Sequence, residues 1–201
     1  MAKRKKTQSP ALRSKSALTN RAANQPDILR FAVGPTALGT ILVAVGRRGV
    51  AAIVLAGDPR RAVSTLHDWF PKSELIAGSP DDEALVAQVI AHIDDPTQPL
   101  HFNLDLRGTP FQNKVWNAVR KIPAGTTLTY ADIAKKIGAP RTMRAVGSSC
   151  AKCRHWFAVP CHRVIASGSQ GSRKQIAERP GSDRRAQLLK REIALLKSRS
   201  T

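Results

Sequence analysis

Apolar positions change their spacing twice along this chain. Residues 1–27 show no hydrophobic period and are rich in Lys, Arg, Ser, Ala and Asn, a composition that reads as a disordered basic tail. From residue 28 short apolar runs begin. Runs near 29–34, 39–46 and 50–56 predict strands, and Gly46-Arg47-Arg48-Gly49 between the last two predicts a hairpin turn. The same break divides the longest apolar region, Leu38 to Ala56, which therefore does not read as a membrane span. Asp58 is placed to cap a helix running to about Phe70. Asp81-Asp82-Glu83 set negative charge at the start of a second helix, ending near Ile93, where it favours the helix dipole. A short strand near 101–106 is expected next.

Beyond residue 107 the spacing becomes helical. Thr109-Pro110-Phe111-Gln112 combines a capping box with a first-turn proline, so a helix should start at Pro110, with Phe111, Val115, Ala118 and Ile122 as its apolar stripe. Pro123-Ala124-Gly125 ends it in a turn. Thr129 and Asp132 offer another N-terminal cap, Ile133 and Ile137 face inward, Gly138 stops that helix, and the next is expected over about 141–151. Two short helices joined by Gly-Ala-Pro predict a helix-turn-helix, whose second member carries Arg141, Arg144 and Lys152. The expected division is a tail over 1–27, an N-terminal α/β domain over 28–106 and a C-terminal domain over 107–201.

Charge sharpens this division. The net charge of +19 splits as +6 over residues 1–27, −3 over 28–106 and +16 over 107–201. A cationic C-terminal half suits a polyanion, most simply a phosphate backbone. The basic N-terminus has no apolar run after its charges, so no secretory signal is expected. Lys3-Arg4-Lys5-Lys6 resembles a nuclear address, although such runs are common. Three cysteines without a secretory signal point to free thiols in a reducing compartment, here the cytoplasm, or the nucleus in a eukaryote. His67, His92 and His101 read as surface or core residues rather than ligands.

The candidate chemistry lies in Pro160-Cys161-His162-Arg163-Val164. A thiol attacks only as thiolate, and a neighbouring base or positive field makes it a nucleophile. His162 and Arg163 supply both, placing Cys161 at the end of an apolar strand, Trp156-Phe157-Ala158-Val159. If that backbone is extended, the side chains of Cys161 and His162 take opposite faces, and a water would bridge them.

This stretch resembles the active-site signature of the O6-alkylguanine-DNA alkyltransferases, the methylated-DNA–protein-cysteine methyltransferases. Arg107-Gly108-Thr109-Pro110-Phe111-Gln112, Val115-Trp116, Ile122-Pro123-Ala124-Gly125-Thr126-Thr127, Thr129-Tyr130 with Ile133-Ala134, and Arg144-Ala145-Val146-Gly147 match at family-like spacing, so that the resemblance covers about residues 28–197. It implies an α+β protein with a small ribonuclease-H-like N-terminal domain and a helical, winged-helix-like C-terminal domain. It implies direct-reversal repair: a single-turnover, suicide transfer of an alkyl group from O6 of guanine, or less readily O4 of thymine, to Cys161. The partner would be double-stranded DNA with its damaged base flipped out, the protein a monomer with no membrane role, and the reaction would need no redox cofactor or metal. By resemblance Arg144 takes the vacated place in the base stack and Tyr130 helps rotate the phosphate; Arg141 and Lys152 are expected to add DNA contacts by their charge on the second helix, and Val159 and Pro160 to border the base pocket. His162 acts through water and Glu192 orients it.

Two positions depart from the pattern. The family has an asparagine eight residues before the nucleophile, at a hinge; here Cys153 stands there, unable to make the paired hydrogen bonds of an amide. Between Cys161 and Glu192 there is no Phe, Tyr or Trp, so a base lid would lose stacking worth about 1–3 kcal/mol per base, and reduced affinity or rate is expected. Two alternatives follow: a lesion-binding sensor with impaired transfer, and a zinc-stabilised DNA-binding module using Cys150, Cys153, His155 and Cys161.

Overall fold

Two neighbouring strands with apolar residues on both faces demand a cover on each side, and the chain supplies it. The computed structural model describes residues 27–166 and 182–198. Strands β1 (Asp27–Thr36), β2 (Gly39–Gly46), β3 (Gly49–Ala56) and β4 (Ser73–Ala77) form a sheet in the order β3-β2-β1-β4. β1, β2 and β3 run as an antiparallel meander, and β4 joins β1 in parallel. β1 alternates in burial along its length, while β2 and β3 are buried through almost every residue. Helix α1 (Pro59–Trp69) packs Ala62 and Leu66 on one face, with Leu29, Leu42, Ala52, Val54 and Phe70. Helix α2 (Pro80–Asp94) packs Val86, Val89 and Ile93 on the other, with Ile41, Val43, Ile53 and Leu55.

Local signals set these helices. The Asp58 carboxylate accepts the Arg61 amide at 2.9 Å at the start of α1. At the start of α2, Asp82 closes a capping box with Ser79 and also binds Arg30 of β1, with Nε to Oδ2 at 2.8 Å. The acidic run thus does more than answer the helix dipole, since Asp82 is 1% exposed and bolts the helix to the sheet. Arg30 lowers the Asp82 pKa against the opposing effect of burial.

The C-terminal half is helical. It holds α3 (Pro110–Val119), α4 (Tyr130–Lys136), α5 (Met143–Ala151) and α6 (Ser182–Ser198), with a two-residue parallel pair of β5 (Leu128–Thr129) and β6 (Val164–Ile165). Capping boxes at Thr109/Gln112 and Thr129/Asp132 stand as the sequence predicts. Val115, Trp116 and Val119 of α3, Ile133 and Ala134 of α4, and Val146 and Cys150 of α5 make its core. The Trp116 indole N–H donates to the Ser149 carbonyl at 2.9 Å, tying α3 to α5.

The edge strand β3 holds the two halves together. Val50 N–H donates to Asn103 O, and Asp105 N–H to Val50 O, each at 2.8 Å; Ile53 N–H donates to Arg154 O at 2.8 Å. The predicted strand over 101–106 is therefore a single bridge at Leu104 beside β3. Arg154 and Arg107 both reach the Phe70 ring at the end of α1, at 4.7 and 5.2 Å from its centroid. Arg107 also pairs with Asp105 and Asp27.

Several expectations change. Asp27 begins β1 rather than closing the tail, and β4 was not predicted because its alternation is weak and mostly exposed. The second helix of the pair starts at Met143, so Arg141 precedes it and Lys152 follows it. Trp156-Phe157-Ala158-Val159 is a turn, not a strand. The rest of the tail and the segment 167–181 lie outside the described residues.

Gly49 has φ +127°, and a Cβ there would land on the Asn103 carbonyl oxygen. Gly49→Ala is expected to lower stability by about 1–3 kcal/mol through backbone strain, read as a lower denaturant midpoint at unchanged slope. An unchanged midpoint would mean that β3 does not hold the 103–105 segment this closely.

Candidate active site and adjoining basic helix

The turn that replaces the predicted strand decides how Cys161 is presented. Val159 N–H donates to His155 O at 2.9 Å and Ala158 N–H to Trp156 O at 2.8 Å, around Phe157 at φ 67°. A bulky residue in that region stores strain and persists only where its surroundings hold it. Here Phe157 is 4% exposed, packed into the core shared by the sheet, α2 and Leu188 of α6. Pro160 then takes φ −75° and ψ 65°, and Cys161 N–H donates across it to Val159 O at 2.7 Å. This is an inverse γ-turn, whose φ the proline ring presets.

Cys161–Arg163 form one turn of 3₁₀ helix. Successive side chains there are separated by about a third of a turn, not by the half turn of extended backbone. Cys161 is 8% exposed and His162 7%. His162 Nε2 lies 2.7 Å from Glu192 Oε1. A cavity of about 20 Å³ beside Cys161 and His162, lined also by Cys153 and His155, has room for one water.

Glu192 organises the site. Besides His162 it accepts from Arg163 Nε at 3.0 Å and from an Arg163 terminal nitrogen at 2.8 Å, and its Oε2 accepts the Gly125 amide at 3.2 Å. The other terminal nitrogen of Arg163 donates to Ile122 O at 2.7 Å. Burial works against the carboxylate, but hydrogen bonds from His162 and Arg163 overcome it and hold its pKa down to about 2. Gly125, at φ +73°, lets the turn after α3 pass against Leu196 of α6, where a Cβ would collide. Arg163 therefore does not provide a free positive field for the thiol. Its guanidinium is buried and committed to Glu192.

The thiol has different neighbours from those expected. Cys161 shares its cavity with Cys150 and Cys153, whose thiols together with burial raise its pKa well above the ordinary value. Cys153 moves the other way, to about 5, chiefly through the hydrogen bond from Cys161 and against burial, with help from His155. The two titrate as a pair: the first proton leaves readily and the second is held. All three cysteines are free thiols. His155 Nε2 lies 3.1 Å from the Val50 carbonyl, and its Nδ1 has no hydrogen-bond partner among the described residues. Among those residues no group of three or more His, Cys, Asp or Glu is arranged to hold a metal ion.

The remaining site residues divide by exposure. Val159 and Pro160 are buried beside Cys161; Arg141, Arg144 and Lys152 are exposed in and around α5 and form no ion pair among the described residues. Tyr130 lies against α5, its ring at van der Waals distance from where a Cβ on Gly147 would stand. Sequence reasoning misses Arg163 as a structural ion and His92 at the site; it groups Cys150 and Cys153 with Cys161, but as zinc ligands. His92 is half-buried, with Nδ1 2.6 Å from Gln98 O, and lines a small cavity with His162 and Glu192. Burial lowers its pKa. His67 and His101 are exposed, as expected of surface residues.

A cysteine between two tight turns, a buried histidine–glutamate pair and an adjoining basic helix define a class of thiol-bearing, polyanion-directed proteins. Comparison with known proteins narrows it. Residues 110–194 match the family model described as the 6-O-methylguanine DNA methyltransferase DNA-binding domain. The bifunctional transcriptional activator/DNA repair enzyme Ada of Escherichia coli is 39% identical over 164 residues, covering 82% of this chain and 45% of Ada. The inducible methylated-DNA–protein-cysteine methyltransferase of Bacillus subtilis is 33% identical over 124 residues, covering 60% of this chain and 68% of that protein. A crystal structure of Mycobacterium tuberculosis O6-methylguanine methyltransferase superposes with TM-score 0.64 at 27% identity, covering 83% of this chain and 93% of that one. The chain belongs to the methylated-DNA–protein-cysteine methyltransferase family and has its mixed α+β fold. It spans 45% of the length of Ada.

The lowered Glu192 pKa has a stability consequence. Its contribution is complete above the ordinary carboxyl value of 4.5 and is lost as pH falls toward about 2. Glu192→Gln should remove that part of the acid-unfolding profile and cost about 3–5 kcal/mol at neutral pH, because Arg163 is left buried without its counter-ion. Circular dichroism across the acid range reads both effects; a variant with the parent's acid slope would exclude the clamp.

Proposed function

We propose that the protein reverses alkylation damage in DNA by moving an alkyl group from O6 of guanine, or less readily O4 of thymine, to the sulfur of Cys161. The observation that carries this reading is the buried Cys161 thiol beside the His162–Glu192 pair, one short connection from an exposed cationic helix. Transfer is a displacement at the alkyl carbon. The Cys161 thiolate forms the new carbon–sulfur bond, the carbon–oxygen bond breaks with its electrons going to guanine, and the base takes up a proton. The thioether product does not revert, so each molecule acts once.

In this reading the Cys161 proton leaves toward Cys153 or through one water to His162. Glu192, kept ionised, fixes the imidazole orientation and stabilises it when protonated. Val159 and Pro160 border the pocket for the reacting base. Double-stranded DNA is the partner, with Arg141, Arg144 and Lys152 meeting its phosphates and groove, Arg144 filling the vacated place in the stack and Tyr130 turning the phosphate. Support for DNA comes from the charge of the C-terminal half and from a relative whose crystal structure is described as Mycobacterium tuberculosis OGT in complex with DNA, with TM-score 0.65 at 26% identity.

The proposed division is an N-terminal ribonuclease-H-like domain over 28–106 and a winged-helix-like domain over 107–201. The protein is proposed to act as a monomer wherever DNA is held. Among the described residues no helix is long and apolar enough to cross a membrane.

Incubation with a duplex containing one O6-methylguanine is expected to add one methyl group to the intact mass, mapping to Cys161 and absent from Cys161→Ala. Lesion binding without an adduct would favour the sensor reading instead. Arg144→Ala should slow transfer at least tenfold, an effect of about 1.4 kcal/mol on the barrier. Lys152→Ala should chiefly weaken binding to any duplex and reduce the salt slope by about one.

A further inference from the structure

This chain sets a second thiol, Cys153, in the same small cavity as the acceptor thiol. Cys153 follows the end of α5, its backbone N–H 3.4 Å from Cys150 O, and is partly buried, whereas Cys161 is buried. The Cys153 and Cys161 side chains line one cavity with His155 and His162 and pack together at the C-terminal core. Cys150 also touches Cys161 but is 1% exposed within the C-terminal core. An oxidant from solvent therefore meets Cys153 first, and the sulfur best placed to displace it again is Cys161.

We propose that Cys153 and Cys161 form a reversible disulfide that withdraws the acceptor thiol from alkyl transfer, protecting it under oxidising conditions. This rests on the reading of Cys161 as acceptor, although the cross-link itself does not require it. The oxidant is a hydroperoxide or a small disulfide. With a peroxide, the Cys153 thiolate attacks the O–O bond, becomes a sulfenic acid and releases hydroxide or alkoxide. The Cys161 sulfur then attacks Cys153, expelling the sulfenic oxygen as water and losing its own proton. Two thiols are oxidised by two electrons and one peroxide is reduced. With a small disulfide, Cys153 forms a mixed disulfide and releases one thiol, and attack by Cys161 releases the other. A dithiol reductant reverses either route.

Two features favour the pair over simple over-oxidation. Susceptibility follows thiolate character and exposure, and Cys153 is the more exposed of the two sulfurs. The inner sulfur lies in contact with it, so a sulfenic acid is captured before a second oxidant molecule arrives. Cys153 sits just past a helix end, where small backbone adjustments can bring the sulfurs to bonding geometry.

The test treats the full chain with stoichiometric hydrogen peroxide, and separately with glutathione disulfide, then quenches free thiols with an alkylating reagent. Non-reduced peptide mapping is expected to recover a Cys153–Cys161 cross-linked pair in most of the protein, lost on dithiothreitol treatment. Methyl acceptance should fall with the fraction cross-linked and return at least tenfold on reduction. Cys153→Ser should show no cross-link to Cys161 and should accumulate irreversible sulfinic acid on Cys161, while Cys150→Ser should still cross-link. A dominant Cys150–Cys161 or Cys150–Cys153 pair, or Cys161 sulfinic acid in the parent with no cross-link, would overturn the proposal. Protein that cross-links as described yet takes no methyl group when reduced would refute the transfer reading and leave the thiol pair standing.

Discussion

The site is organised by one buried carboxylate. Glu192 binds an imidazole and a guanidinium from one turn and a backbone amide from another, so helix α6, the turn after α3 and the Cys161–Arg163 turn are fixed by the same group. Moving an ion into a protein interior costs several kcal/mol unless its charge is matched and its lone pairs are filled. Here Arg163 matches the charge and its remaining donor is taken by Ile122 O. The arrangement leaves His162 facing a permanently ionised partner at all but strongly acidic pH.

Presentation of the thiol is a separate matter from its ionisation. Two consecutive tight turns, one at a phenylalanine in the left-handed region and one at a proline, set Cys161 at the margin of the C-terminal core, almost fully covered. The first is strained, and the packing of Phe157 between sheet, α2 and α6 holds it in place. Core packing on the sheet side thus maintains the backbone shape of the reactive turn.

Much of this was legible in the sequence because its signals are local. Asp58, Thr109 with Gln112, and Thr129 with Asp132 each act within one helical turn, and the helices they start lie where their spacing puts them. Gly46 and Gly49 bracket a hairpin for the same reason. The failures are non-local. An apolar run such as Trp156–Val159 has the period of a strand, and nothing in it announces a positive φ at Phe157. Arg163 looks like a charge near the thiol until its partner, 29 residues away, comes into view. Cys150 and Cys153 were noticed as a possible metal set; that they face Cys161 emerges only from the fold. The family resemblance located Glu192 and His162 as partners, which pattern alone would have left as a surface acid and a lone histidine.

The pairing along β3 gives the molecule a fixed reference. The chain enters its C-terminal half beside Val50 and arrives at the reactive turn beside Ile53, so both ends of the helical excursion between them are registered on one strand, four residues from end to end of the contact. Helices α3, α4 and α5 lie wholly within that excursion. The helix carrying Arg144 packs Val146 and Cys150 into the same core as Cys161, and Trp116 holds it at the Ser149 carbonyl. Arg144 and the sulfur thus rest on one packed layer of side chains, so a displacement of the helix is transmitted to the thiol's own packing.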